Sequence, residues 1–139
     1  MDKFTPKERS KIMRQVKGKD TAPERQVRSL LHRMGLRFRL HQKNLPGVPD
    51  IVLPKYKSVI FVHGCFWHRH PGCKRASMPT SNVDYWEDKF SKNLKRDAEC
   101  QAQLTSLGWR VIIIWECELK ALVVLQEKLF EALHIMDGV

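Results

Sequence analysis

The chain has no apolar run approaching the roughly 18 residues that a membrane span requires, so no transmembrane helix is expected. Its opening stretch, Met1-Asp-Lys-Phe-Thr-Pro-Lys-Glu-Arg9, lacks an apolar core, so no secretory signal is expected either. Internal repeats, low-complexity tracts and linkers are also missing, which leaves 139 residues to form one domain with a core of its own. Four cysteines in such a chain point to metal ligands or free thiols rather than a disulfide framework. A cytoplasmic protein is expected. Acidic residues are scarce at one end only. Residues 1–43 carry 13 Lys/Arg against 4 Asp/Glu, whereas residues 44–139 carry 12 against 11, so almost all of the net +10 lies in the first third. Charge so concentrated favours a polyanion through counterion release. The basic stretch lacks the Trp/Leu-rich opposing face of an interfacial helix, which favours nucleic acid over a membrane.

What is present reads as alternating elements. Residues 6–16 form a basic helix whose apolar stripe, Ile12, Met13 and Val16, is too thin to pack alone. Thr21-Ala-Pro-Glu24 is a helix start, and Val27, Leu30, Leu31 and Met34 follow at helical spacing until Gly35. Leu36–His41 alternates like a half-buried strand. Leu45-Pro-Gly-Val-Pro49 is a turn, and strands begin at Asp50 and at residue 57. A long helix is predicted over 83–107 with Trp86, Phe90, Leu94 and Ala98 on its stripe. A buried strand over 110–115 and a helix over about 118–134 follow, the helix turning Leu119, Leu122, Val123, Leu129, Phe130 and Leu133 inward. The order α-α-β-β-β-α-β-α implies an α/β fold, a mixed sheet with helices on its faces.

A long helix between strands 57–63 and 110–115 implies that the two lie parallel and end at one sheet edge. Cys65 lies just past the first and Cys117 just past the second. With His70 and Cys73, across the turn His70-Pro-Gly-Cys73, they make a Cys3His set suited to structural zinc. The competing reading makes Cys117 a small buried apolar residue. Cys100, inside the long helix, is assigned to packing. His63 and His68 remain beside the metal loop, and Asp50 opens a strand whose neighbour ends in His63. A carboxylate and an imidazole in one cleft suit a hard cation and a water-activating base, the needs of phosphodiester hydrolysis.

Pro49-Asp50-Ile-Val, Phe61-Val-His63-Gly-Cys-Phe-Trp-His68, and Gly108-Trp-Arg-Val-Ile with Trp115-Glu-Cys117 resemble the very-short-patch mismatch repair endonucleases (Vsr). These belong to the restriction-endonuclease-like PD-(D/E)XK superfamily, and the likeness runs from about Ser10 through Leu119. The resemblance implies a Mg²⁺-dependent nick in one strand of double-stranded DNA, 5′ of the thymine in a T:G mismatch left by deamination of 5-methylcytosine. It implies that Asp50 binds Mg²⁺ with the Val62 carbonyl, that His68 is the general base, and that His63 polarises the phosphate. Glu24 matches a further acidic position, where a capping-box role is equally open. Phe66, Trp67 and Trp86 match aromatics that wedge into the base stack; Trp86 read by periodicity alone is helix core. Met13, Lys89 and Asn93 match positions near the mispaired bases. The 1–19 arm matches a DNA clamp and 20–139 the endonuclease domain, acting as a monomer on DNA of the nucleoid. The usual nuclease Glu-x-Lys is replaced by Phe61-Val-His63, as in the family. The Cys65–Cys73 loop is one residue longer than the family pattern, which leaves His68 as the alternative zinc histidine; His70 is preferred because it frees His68. Two other readings stay open: a related nuclease acting on another DNA structure or modification, and a zinc-stabilised DNA-binding module without catalysis.

Overall fold

The structure, a computed structural model, describes residues 21–134. The helix expected over 6–16, with Met13 and the basic arm, lies outside the described residues. Helix α1 (Ala22–Arg33) starts where the Thr21 hydroxyl accepts the Glu24 N–H at 3.4 Å and Pro23 occupies the first turn. It stops at Gly35, whose φ of +78° lets the Leu36 N–H return to the Leu31 carbonyl at 3.0 Å. Val27, Leu30 and Leu31 are buried, as their spacing predicts.

Four strands follow in the spatial order β1-β2-β3-β4: β1 (Arg39–Leu40), β2 (Ile51–Leu53), β3 (Ser58–His63) and β4 (Arg110–Trp115). The pairs β1/β2 and β2/β3 are antiparallel, and β3/β4 is parallel with Ser58 opposite Arg110 and His63 opposite Trp115. The expected parallel pair is therefore present, joined through α2 (Val83–Ser106). Alternate residues of the sheet face opposite layers. Ile51, Leu53, Ile60, Ile112 and Ile114 pack with α1 and with α3 (Leu122–Ala132) through Leu125, Leu129 and Leu133. Val52 and Val59 face the other way and meet Leu104 of α2.

Three expectations need correction. The Leu36–His41 strand shrinks to the exposed pair Arg39–Leu40, because His41 takes a left-handed φ of +45° that ends the ladder. The α2 stripe runs differently: Leu94 and Ala98 are exposed, and the inward face passes through Phe90, Asn93, Asp97, Cys100 and Leu104. A strict four-residue spacing overtakes the helical repeat by about 40° per step, so a stripe drawn that way rotates off the sheet. The last helix begins only at Leu122, after a 3₁₀ turn over Glu116–Lys120; Val123 is 73 % exposed and Leu125 takes the core position instead.

Leu104 is the one fully buried side chain that α2 contributes to its layer. Leu104→Ala is expected to lower unfolding free energy by about 2–4 kcal/mol, read from the urea midpoint.

Candidate active site

The last rung of the parallel pair joins His63 to Trp115, and Cys65 and Cys117 each lie two residues beyond it. Parallel strands put both at one edge, and the ligating atoms of Cys65, His70, Cys73 and Cys117 all lie within 4.8 Å of one another. The Cys117 Sγ to His70 Nδ1 distance is 3.4 Å. A tetrahedral ion with bonds of ~2.3 Å to sulfur and ~2.0 Å to nitrogen spaces such a pair by about 3.5 Å, so the donor set fits a structural metal. The chain holds both sides in place. The His70 N–H reaches the Cys65 carbonyl at 3.0 Å, and the His70 ring stacks on Trp115 at 4.2 Å. On the other side, Glu118 accepts the Trp115 N–H at 2.9 Å, and Lys128 Nζ donates to Glu118 and to the Ile113 carbonyl, both at 2.8 Å. Burial pushes the Cys65 thiol up to about 11, so a thiolate there needs a cation to displace its proton.

Beside this cluster, a cleft of about 800 Å³ is lined by Glu24, His41, Asp50, Val62, His63, His68 and Asp97. Asp50 opens β2 at the edge where β3 ends, because the two strands are antiparallel. Its Oδ2 accepts the Val62 N–H at 2.7 Å. Burial, with the Glu24 carboxylate adding to it, raises Asp50 to about 6 against the pull of that hydrogen bond. His63 is lowered to about 4, first by burial and then by the neighbouring His68. The rings of His63 and His68 stack at 3.8 Å with 7° between planes. His68 Nδ1 lies 2.6 Å from Asp97 Oδ2. His68 thus belongs with His63 and Asp97, and His70 with the three cysteines. Glu24, whose main-chain N–H meets the cap, sends its carboxylate into the cleft, 3.2 Å from His41 Nε2.

Asp97 and His41 were not among the residues picked out by sequence. Asp97 falls seven residues after Phe90 and seven before Leu104, on the true inward face of α2, so a correctly phased stripe contains it. His41 had no local signal, since its side chain is aimed by a left-handed backbone that no pattern announces.

The aromatic residues also converge. Phe66 lies 5.1 Å from Trp67 and 5.5 Å from Trp86, and Trp67 lies 5.8 Å from Trp86. Asn93 Nδ2 donates to the Trp67 carbonyl at 3.4 Å, which ties α2 to the Phe66–Trp67 loop. Lys89 is half-buried one turn before Asn93; Met13 lies outside the described residues. Cys100 does pack, but at the cleft wall: a Cβ on Gly47, whose φ is +73°, would sit 2.9 Å from the Cys100 Cβ. Only glycine fits that approach.

A sequence profile described as DNA mismatch endonuclease Vsr matches residues 1–75. The chain is 51 % identical to the type II nicking enzyme V.XorIIP of Xanthomonas oryzae pv. oryzae, over 92 % of this chain and 93 % of that one. It is 46 % identical to the DNA mismatch endonuclease Vsr of Escherichia coli K12, over 81 % of this chain and 71 % of that one. The chain belongs to the Vsr family. This Vsr-family protein is a DNA endonuclease. Its fold is shared with the catalytic domain of homing endonuclease I-Bth0305I, at a TM-score of 0.56, 24 % identity, 84 % of this chain and all of that one. Among the described residues, no helix is long and apolar enough to cross a membrane.

Two measurements follow from the geometry of this Vsr site. Elemental analysis is expected to find about one zinc per chain, and Cys117→Ala to remove it and lower the melting temperature by several degrees or more. The Asp50 carboxyl holds its proton more tightly folded than unfolded, so stability falls as pH rises from about 4 to about 6 and stays reduced above that. Asp50→Asn keeps an acceptor for the Val62 N–H and removes the charge. In cation-free buffer the variant is expected to match the parent at pH ~4 and exceed it by about 1–3 kcal/mol at pH ~7.5. His63 has the opposite dependence, losing stability as pH falls from 6.5 towards 4, and cancels in the comparison.

Proposed function

We propose that the protein nicks one strand of duplex DNA 5′ of the thymine in a T:G mismatch, in a reaction dependent on Mg²⁺ or a like divalent cation. The observation that carries this reading is a half-buried carboxylate, Asp50, sharing one cleft with an Asp97-bound His68 and a half-buried aromatic cluster. The donor set suits a hard cation: Asp50 is a hard oxygen ligand, Glu24 reinforces the negative field, and the Val62 carbonyl adds a neutral oxygen. When bound there, the cation supplies Lewis-acid stabilisation of charge on the phosphate oxygens.

The protein's own groups do the rest. With Nδ1 bonded to Asp97, His68 keeps its lone pair on Nε2 and its ring in one orientation. It takes the proton of the attacking water as the water oxygen bonds phosphorus and the 3′ oxygen departs. His63, neutral at physiological pH because it is buried beside His68, donates a hydrogen bond to the phosphate. Phe66, Trp67 and Trp86 form the wedge, and a mispair is where wedging costs least. Lys89, Asn93, Met13 and the 1–19 arm complete the DNA interface, and Cys65, His70, Cys73 and Cys117 hold structural zinc. An asymmetric lesion needs no twofold, so the protein acts as a monomer.

Asp50→Ala and His68→Ala are each expected to reduce Mg²⁺-dependent nicking of a T:G duplex by a thousandfold or more, roughly the size of removing a base or a metal ligand. DNA binding by gel shift stays within a few fold of the parent. Equal cleavage of T:G, C:G and U:G duplexes would reject the mismatch reading, and normal nicking by both variants would reject the site.

A further inference from the structure

The zinc-type cluster is complete in itself, and in the His63–His68–Asp97 group the Asp97 carboxylate is engaged with His68. The third cluster, Glu24, His41 and Asp50, holds a residue that the reading above leaves unused. His41 meets Glu24 through its ring and Asp50 through its main chain. Its Nε2 lies 3.2 Å from Glu24 Oε2, and its main-chain N–H reaches the Asp50 carbonyl at 3.4 Å. One ligating atom from each of the three residues falls within 4.8 Å of the others. The His41 and Glu24 side chains are 13 % and 9 % exposed, and all three residues line the cleft.

The backbone supplies an independent observation. His41 sits at φ +45° directly after β1, a conformation that costs a non-glycine residue roughly 1 kcal/mol or more. Glycine or asparagine would occupy that turn with less strain. The turn carries an imidazole instead, and its Nε2 stands beside the Glu24 carboxylate. The 3.2 Å between Nε2 and Oε2 also matches a coordination shell, because adjacent ligands of an octahedral ion with bonds of ~2.1 Å stand about 3 Å apart.

We propose that Glu24 and His41 join Asp50 and the Val62 carbonyl as protein ligands of the divalent cation, giving a two-carboxylate, one-imidazole set that shifts the site's preference from Mg²⁺ towards Mn²⁺. The proposal rests on the reading that Asp50 holds the cation. Mg²⁺ demands oxygen donors, whereas first-row transition ions accept nitrogen readily, so an imidazole in the shell is a selectivity element.

The test uses the zinc-loaded protein without DNA, titrated with Mn²⁺ and followed by electron paramagnetic resonance. The bound ion is expected to show electron spin-echo modulation from a directly coordinated ring nitrogen. His41→Asn and His41→Gly both tolerate the left-handed backbone, and both are expected to lose that modulation. Competition with Mg²⁺ is expected to show the Mn²⁺ preference falling about tenfold in each. Mn²⁺ bound without nitrogen modulation, or modulation that persists in both variants, overturns the role of His41 and leaves Asp50 as the cation site. Unchanged Mn²⁺ binding by Asp50→Asn overturns the cation reading, and the proposal with it.

Discussion

The parallel pairing of β3 with β4 sets the geometry of everything at the functional edge. Its register, His63 opposite Trp115, carries two sulfur ligands beyond the sheet at equal height and leaves an imidazole as the last side chain on the α2 face. The pairing is held by side chains buried on both layers, Val59 and Ile60 in β3, Ile112 and Ile114 in β4. A slip of one residue would move Cys65 by ~3.3 Å relative to Cys117 and exchange which faces the two strands present. Register is therefore fixed by apolar burial in the middle of the strands, and the chemistry at their ends inherits that precision.

Two donor sets of opposite character stand side by side at that edge, cysteine sulfur and imidazole on one side, carboxylate and imidazole on the other. Trp115 divides them: His70 stacks on it at 4.2 Å, while His63 meets it edge-on at 5.3 Å. An apolar ring between the two keeps the soft ligands from drifting into the cleft. The cysteine-rich cluster and His68 also share one segment of chain. Cys65 and Cys73 anchor its ends in the cluster, and Phe66, Trp67 and His68 lie between them, with the His68 N–H returned to the Gly64 carbonyl at 3.1 Å. A structural metal held there would fix the span from which the proposed wedge and base project.

Most of this was legible in the sequence where burial or covalent spacing dictates it. The apolar runs at 58–63 and 110–115, separated by a helix too long for a hairpin, determine parallel pairing and hence the meeting of Cys65 with Cys117. The bracketing of Asp50 by Pro49 and a strand placed it at the right edge. What resisted reading was polar. The inward face of α2 carries Asn93, Asp97 and Cys100 because it lines a cleft instead of a core, and apolar periodicity cannot report a face made of such residues. Val123 misleads in the reverse sense, apolar yet exposed at the start of α3. His41 depends on one backbone angle.

The aromatic cluster has a resting arrangement compatible with the wedge proposed for it. Two indoles and a phenyl ring standing free in water would form an exposed apolar patch of the kind that promotes association. Here Phe66, Trp67 and Trp86 are half-buried against one another and against Phe90, with the Arg69 guanidinium 4.2 Å from the Phe90 ring. Edge-to-face pairs of this kind contribute about 0.5–1.5 kcal/mol each, so the resting arrangement is satisfied without being locked. Entry into a base stack exchanges ring–ring contacts for ring–base contacts of similar size, and the net cost becomes mainly that of unstacking the DNA. That cost is lowest at a mispair. On the proposed reading, selectivity for a weakened step would arise from the balance of two stacking energies, with no requirement that these rings hydrogen-bond the bases they part.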